Sequence, residues 1–236
     1  MRLEQVTITG IDDQTEMSFI DDMTSRFGHV EWGVLLYDKK RGTPRYPSDS
    51  WLANLTGTFR HKYDTQFCAH ICGTLCDRMI TDGGETYLTG ELIEFSDPRF
   101  FSRVQLNSYP DSQWDFTAIN RLASNICPYA DIILPIPNEV IRDRVRPIFL
   151  GNVNFLFDAS RGRGVKPKEW PAADIEGYLG FAGGITPDNI REVLDPLCSR
   201  SENVEFWIDM ESGVRTNDHL DPVKVEKMLT IAETYL

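Results

Sequence analysis

Four polar side chains at the ends of apolar runs have types suited to proton transfer or ligand binding: Thr9, Cys72, Asp158 and Asp209. Carboxylates and thiols are common general acids and bases, and a positioned one typically contributes about 10²- to 10⁴-fold in rate. A threonine hydroxyl keeps its proton far above neutral pH, so Thr9 is suited to binding rather than to proton abstraction. Asp158 and Cys72 are therefore the candidates for acid–base chemistry, and Asp209 is a candidate ligand contact.

Three glycine-rich turns, SRGRGV at 160–165, FAGGIT at 181–186 and ESGVR at 211–215, each follow an apolar run directly. Glycines at such positions let backbone N–H groups approach an anion closely. The turns therefore predict a phosphate site. The arginines of the first turn either add charge to this site or occupy the place that the phosphate would take. The predicted phosphate-binding residues are Gly162, Arg163, Gly164, Gly183, Gly184, Ser212 and Gly213.

The elements that must position these residues are eight apolar runs of strand length separated by helix-like segments. The predicted strands are 3–9, 31–38, 66–72, 103–107, 131–136, 153–158, 178–182 and 204–210. The predicted helices are 14–27, 48–56, 116–125, 139–145, 171–176, 187–198 and 221–234. Those at 48–56 and 171–176 are short, and the helix at 187–198 opens with Thr186-Pro187-Asp188 as a cap and first-turn proline.

This alternation predicts an α/β fold of one domain over residues 1–236, a (β/α)8 TIM barrel of eight parallel strands. The strands are almost continuously apolar and no unit carries GxGxxG, which argues against an open doubly wound sheet. An insertion or long loop is expected near 77–102. Active sites of such barrels lie at the carboxyl ends of the strands.

Strand alternation predicts which side chains point into the barrel mouth, because successive residues face opposite sides of a strand. The more apolar face of each strand should meet the helices. The residues predicted to face inward are Thr7, Thr9, Cys68, His70, Cys72, Gln105, Asn107, Asp158 and Asp209.

The composition limits the partners. A net charge of -12 from 24 basic and 36 acidic residues disfavours nucleic acid and anionic membrane surfaces. The chain shows no signal-peptide pattern and no apolar run of 18 residues, so we expect a cytoplasmic protein. Five cysteines are expected to be reduced thiols. Those at 68, 72 and 76 lack the paired CxxC spacing of zinc sites, so no metal is expected.

The last third of the chain resembles phosphoribosylanthranilate isomerase, a barrel family of tryptophan biosynthesis. Three motifs carry the resemblance in order: FLFDASRGRGVKPKEW, LGFAGGITPDNIREVL, and WIDMESGVR followed by Asp218 and Asp221. Shorter matches are VTITGI, the Thr43-Pro44-Arg45 tripeptide and VQLN at 104–107.

The resemblance implies an aldose–ketose isomerisation of a small phosphorylated substrate, an Amadori rearrangement that needs no cofactor. It implies that Asp158 is the general acid, and that Arg45, Asn107 and Asp209 contact the substrate. The family's catalytic cysteine, its general base, corresponds to Thr9. A monomer or homodimer is expected.

The identity of the base leaves three readings open. Cys72, with a pKa lowered by the neighbouring His70, could replace the missing cysteine. The barrel could instead bind a phosphorylated ligand without turnover. Alternatively, Cys72 or Asp209 could serve a lyase or epimerase reaction on the same scaffold.

Overall fold

The structure is a computed structural model that describes residues 1–85, 100–107, 115–127, 129–145, 151–159, 162–167, 169–170, 178–200 and 204–236. Its eight principal strands are parallel and close into a barrel in sequence order. They are β1 (Arg2–Thr9), β2 (Val30–Leu36), β3 (Gln66–Ile71), β4 (Arg103–Leu106), β5 (Asp131–Ile136), β6 (Val153–Asp158), β7 (Leu179–Ala182) and β8 (Glu205–Met210). The predicted (β/α)8 fold and all eight predicted strands are confirmed, with ends that differ by at most two residues.

Seven α-helices surround the barrel within the described ranges. They are α1 (Met17–Arg26), α2 (Asp49–Phe59), α3 (Thr74–Thr81), α4 (Phe116–Ile126), α5 (Glu139–Val145), α6 (Ile190–Cys198) and α7 (Pro222–Ala232). A short hairpin after the barrel pairs β9 (Arg215–Thr216) with β10 (His219–Leu220). The predicted helix at 171–176 lies outside the described residues, and so does 86–99, most of the loop predicted near 77–102.

The start of α6 corrects the predicted cap. Residues 187–189 form a turn, and the helix begins at Ile190 rather than at Pro187. The carbonyl of Thr186 accepts from the amides of Asn189 and Ile190, at 3.2 and 3.0 Å. The Thr186–Asp188 segment therefore closes a turn before the helix and does not cap its first residue.

The barrel interior contains a buried ion pair. Arg103 Nε donates to Glu31 Oε1 at 2.8 Å, and the Thr7 hydroxyl donates to Glu31 Oε2 at 2.8 Å. The Arg103 guanidinium also lies over the Trp207 ring, 4.4 Å from its centroid. Trp207 belongs to a small interior cluster with Cys68, Ile133 and Leu156. The side chains at the mouth therefore rest on a charged floor, which adds to the local field.

We expect removal of one partner of this pair to destabilise the fold strongly. Arg103→Met leaves the Glu31 carboxylate buried without a counter-charge, which typically costs about 3 to 5 kcal/mol of unfolding free energy. Urea unfolding followed by circular dichroism measures this. Arg2→Met is the matched control, because its pair with Glu205 is exposed and such pairs contribute about 0 to 1 kcal/mol. Equal losses in the two variants would contradict the prediction.

Candidate functional site

A cavity of about 510 Å³ lies at the carboxyl ends of the strands. Every residue predicted for the site lines it. These are Thr9, Arg45, Cys72, Asn107, Asp158, Gly162, Arg163, Gly164, Gly183, Gly184, Asp209, Ser212 and Gly213. A larger cavity, about 660 Å³, is lined by residues of α2 and the amino ends of β3 and β4 and includes none of them. The mouth cavity is therefore the candidate site, although it is the smaller of the two.

Asp209 is buried at the mouth and accepts a hydrogen bond from Thr9. The Thr9 hydroxyl donates to Asp209 Oδ1 at 2.7 Å. Burial raises the pKa of Asp209 to about 7, with repulsion from Glu31 and Glu211 adding to the rise, while the Thr9 hydrogen bond and Arg103 oppose it. A carboxyl group with a pKa near 7 can both accept and release a proton at neutral pH.

Asp158 lies two strands away from Asp209 on the same rim. The strand register pairs Asp158 with Ala182, and Ala182 with Asp209. Asp158 Oδ2 accepts a hydrogen bond from the amide of Gly162, at the start of the first glycine turn. The two carboxyl groups thus flank the small side chain of Ala182, with the cavity in front of it.

His70 and Gly33 pack closely against Thr9. His70 is 2 % exposed, and burial, followed by the charge of Arg103, lowers its pKa to about 3. The imidazole is therefore neutral at physiological pH. A Cβ atom on Gly33 would lie 2.4 Å from Thr9 Oγ1 and 3.0 Å from His70 Nε2, so the close packing of these three residues requires glycine.

Cys72 does not have the lowered pKa that the sequence suggested. Burial raises it, and a hydrogen bond from Asn107 Nδ2 to Cys72 Sγ, 3.1 Å long, opposes the rise only in part. The expected help from His70 is wrong because a neutral imidazole carries no charge to stabilise a thiolate. Cys72 is therefore a thiol at neutral pH and a poor base.

The three cysteines spaced by four do not converge. Cys68 lies in the barrel interior with Trp207, whereas Cys76 packs in the layer between barrel and helices. Within the described ranges, no group of three or more His, Cys, Asp or Glu side chains is arranged to hold a metal ion.

Arg45 is held by acidic residues of the loop after β8. Its Nη1 donates to Glu211 at 2.9 Å and its Nε to Asp218 at 2.5 Å, while its amide donates to Asp12 at 2.7 Å. Asp12 in turn forms a buried ion pair with Arg215 at 3.0 Å. Arg45 therefore reaches the cavity, but its charge is already neutralised there.

The three glycine turns pack against one another. A Cβ on Gly213 would lie 1.8 Å from the Ile185 carbonyl oxygen, and one on Gly184, at φ +61°, would lie 2.5 Å from the Lys166 amide nitrogen. The turns after β6, β7 and β8 thus form one surface that side chains would separate. Within the described part of the chain, the amides of Gly183 and Gly184 donate no hydrogen bond.

Sequence reasoning missed Gly33, which packs against Thr9 and His70. It also missed two tyrosines that line the cavity, Tyr37 and Tyr46. A glycine inside the apolar strand VEWGVLL is itself a signal, because glycine in a strand often marks close approach of a ligand or another backbone. The tyrosines follow β2 in a loop, where nothing in the sequence distinguishes them.

Comparison with known proteins gives the fold. No protein-family model and no curated protein matches the sequence. Two solved structures of phosphoribosylanthranilate isomerase do match. Monomers of the dimeric Thermotoga maritima protein match with 16% identity and a TM-score of 0.58, over 97% of this chain and 98% of that one. The Pyrococcus furiosus protein matches with 12% identity and a TM-score of 0.59, over 98% of both chains. Thiamine phosphate pyrophosphorylase from Pyrococcus furiosus matches with 14% identity, TM-score 0.55, and 100% and 96% coverage.

The chain has the architecture of these proteins. It is a divergent (β/α)8 barrel similar to phosphoribosylanthranilate isomerase, as the sequence predicted. At such low identities the likeness shows the fold and does not extend to the reaction. Among the described helices, none combines the length and apolar character that a membrane span requires.

We expect Asp209 to make stability depend on pH between about 4 and 7. Below this window the Asp209 carboxyl is protonated in both the folded and the unfolded state. As pH rises, the carboxyl ionises first in the unfolded state, so the free energy of unfolding falls. It stops falling once pH passes the pKa of Asp209 in the folded state. A rise from the ordinary value to about 7 corresponds to a loss of roughly 4 kcal/mol. Asp209→Asn should lack this loss.

Urea unfolding at a series of pH values measures the effect. Asp64→Asn is the control, because that residue is exposed and its replacement should leave the profile parallel to that of the unmodified protein. A parallel profile for Asp209→Asn as well would contradict the prediction.

Proposed function

We propose that the chain is an enzyme that isomerises a phosphorylated sugar, with Asp158 and Asp209 transferring the protons. The observation that carries this proposal is the buried Asp209 carboxyl, hydrogen-bonded to Thr9 and titrating near pH 7 at the rim that also holds Asp158. Two carboxyl groups in different environments are a common way to divide acid and base roles.

The glycine turns support phosphate as the anchored group. Among the described residues the amides of Gly183 and Gly184 donate no hydrogen bond, and a bound anion would supply the acceptor that crowded N–H groups normally have. Arg163 supplies a cation in the adjoining turn. Phosphate is commonly bound at this end of such barrels, after strands seven and eight. A local site of this kind is compatible with an acidic surface elsewhere.

The reaction requires an acid and a base on one sugar. The acid protonates the ring oxygen, and the ring opens to a protonated imine, or to an aldehyde with loss of the proton of the first hydroxyl. The base then removes the proton from the second carbon, and the electron pair forms the enamine or enediol. Protonation of the first carbon and loss of the proton of the second hydroxyl give the ketose. Resemblance assigns the acid to Asp158. Asp209 is suited to act as the base. Thr9 is suited to orient that base and does not act as a base itself.

The other readings differ in what they require. A binding barrel without turnover needs the phosphate turns but not a carboxyl titrating near neutrality, and a thiol base at Cys72 is disfavoured by its raised pKa. An epimerase would use the same two carboxyl groups, so product analysis distinguishes it from an isomerase. The tryptophan-pathway reaction, the cytoplasmic location and the monomer or homodimer state stay predictions.

We expect solvent-deuterium exchange to reveal the proton transfer. Incubation of the protein with ribose 5-phosphate or ribulose 5-phosphate in D₂O, followed by proton NMR, should show deuterium entering the carbons next to the carbonyl. Asp158→Asn and Asp209→Asn should each slow the exchange by about 10²- to 10⁴-fold, while binding of inorganic phosphate changes less than about two-fold. The Asp64→Asn variant serves as the control. Phosphate binding without exchange would favour the non-catalytic barrel.

We expect Thr9→Val to change both the rate and its pH dependence. The variant removes the hydrogen bond that lowers the pKa of Asp209, so the rising limb of the rate profile should move to higher pH. Loss of one hydrogen bond to a charged group should slow exchange about 10-fold at neutral pH. Thr9→Ser keeps the hydroxyl and should restore the original profile. An unchanged limb in Thr9→Val would exclude this orienting role.

A further inference from the structure

Two buried polar atoms at the cavity wall formed by β3 and β4 lack partners among the described residues. They are His70 Nε2 and Gln105 Oε1. Both residues line the mouth cavity and are nearly inaccessible, at 2 % and 5 % exposed. Buried polar atoms without partners are costly and rare in folded proteins, so their position at a cavity indicates that a ligand group satisfies them.

The chemistry of these atoms favours a hydroxyl group. Gln105 Nε2 donates to Asn107 Oδ1 at 2.9 Å, which leaves Oε1 as an acceptor that has no partner among the described residues. An acceptor needs a donor from the ligand, which a carboxylate cannot provide. A neutral imidazole nitrogen pairs with a hydroxyl in either tautomer, because a hydroxyl both donates and accepts.

The charges around this wall disfavour an anionic substituent. Asp209 and Glu211 both line the cavity near it, and Arg45, the cation that would face a carboxylate, is already paired with Glu211 and Asp218. The His70 imidazole stays uncharged down to low pH. A carboxylate would therefore lose its hydration without gaining an unpaired cation there.

We propose that the wall of His70 and Gln105 is a subsite for an uncharged, hydroxyl-bearing end of the ligand, opposite the phosphate. This inference rests on the proposed function and names its substrate class: a phosphorylated polyol or sugar without a carboxylate. One ligand hydroxyl pairs with His70 Nε2. A second donates to Gln105 Oε1. The anthranilate group, which bears a carboxylate, does not suit this wall.

Isothermal titration calorimetry with three probes tests the subsite. The probes are inorganic phosphate, ribulose 5-phosphate, and the conjugate in which ribulose 5-phosphate, reduced at carbon 2, carries an anthranilate group on carbon 1. Ribulose 5-phosphate should bind at least about 10-fold more tightly than inorganic phosphate, as two added hydrogen bonds allow. The conjugate should bind less tightly than ribulose 5-phosphate.

Gln105→Met separates the subsite from the phosphate turns. It removes the acceptor at similar volume, and it should weaken binding of ribulose 5-phosphate about 3- to 12-fold while leaving inorganic phosphate unchanged. Gln66→Met is the matched control, since Gln66 is exposed at the amino end of β3 and should affect neither probe.

Two different failures can be told apart. Tighter binding of the conjugate than of ribulose 5-phosphate, or an equal loss for both ribulose 5-phosphate and inorganic phosphate in Gln105→Met, would overturn the subsite while phosphate binding still supports the proposed function. Absence of binding for all three probes would overturn the proposed function together with the subsite.

Discussion

The hydrogen bond between Thr9 and Asp209 is the interaction on which the chemistry of the mouth depends. It joins the ends of β1 and β8, neighbours in the closed barrel. Burial and nearby acids raise the Asp209 pKa, while Thr9 and Arg103 hold it back, so the balance falls near neutrality. A barrel without this bond would keep its carboxyl more firmly protonated and less able to accept a proton.

The barrel interior explains why such a carboxyl is tolerated. The floor beneath the mouth is the Glu31–Arg103 pair rather than a wholly apolar layer. Arg103 offsets part of the acidic charge above it, and its stacking on Trp207 fixes the guanidinium in place. Burial, together with the charge of the same cation, keeps His70 neutral. One buried arginine thus lowers the pKa of both groups, which favours the charged form of Asp209 and the neutral form of His70.

The hydrophobic pattern of the strands predicted the fold and the positions of the site residues well. Apolar runs placed the eight strands, and alternation placed Asp158 and Asp209 at the mouth, because both depend on local pattern alone. The states of Cys72 and Arg45 were not predictable in this way. They depend on neighbours distant in the chain, such as Glu211 beside Arg45, and on the depth of burial, neither of which a periodicity encodes.

The direct test of an acid–base role for Asp209 is the ionisation of its carboxyl in the folded protein. Carbon-13 NMR of the aspartate side chains across pH 3 to 9, with Asp209→Asn to assign the resonance, measures this midpoint. A midpoint close to pH 7 is predicted from the burial of the group. A midpoint near the ordinary aspartate value of about 4 would show that Asp209 is ionised and unperturbed, and would contradict the raised pKa on which the proposed division of roles between the two carboxyl groups rests.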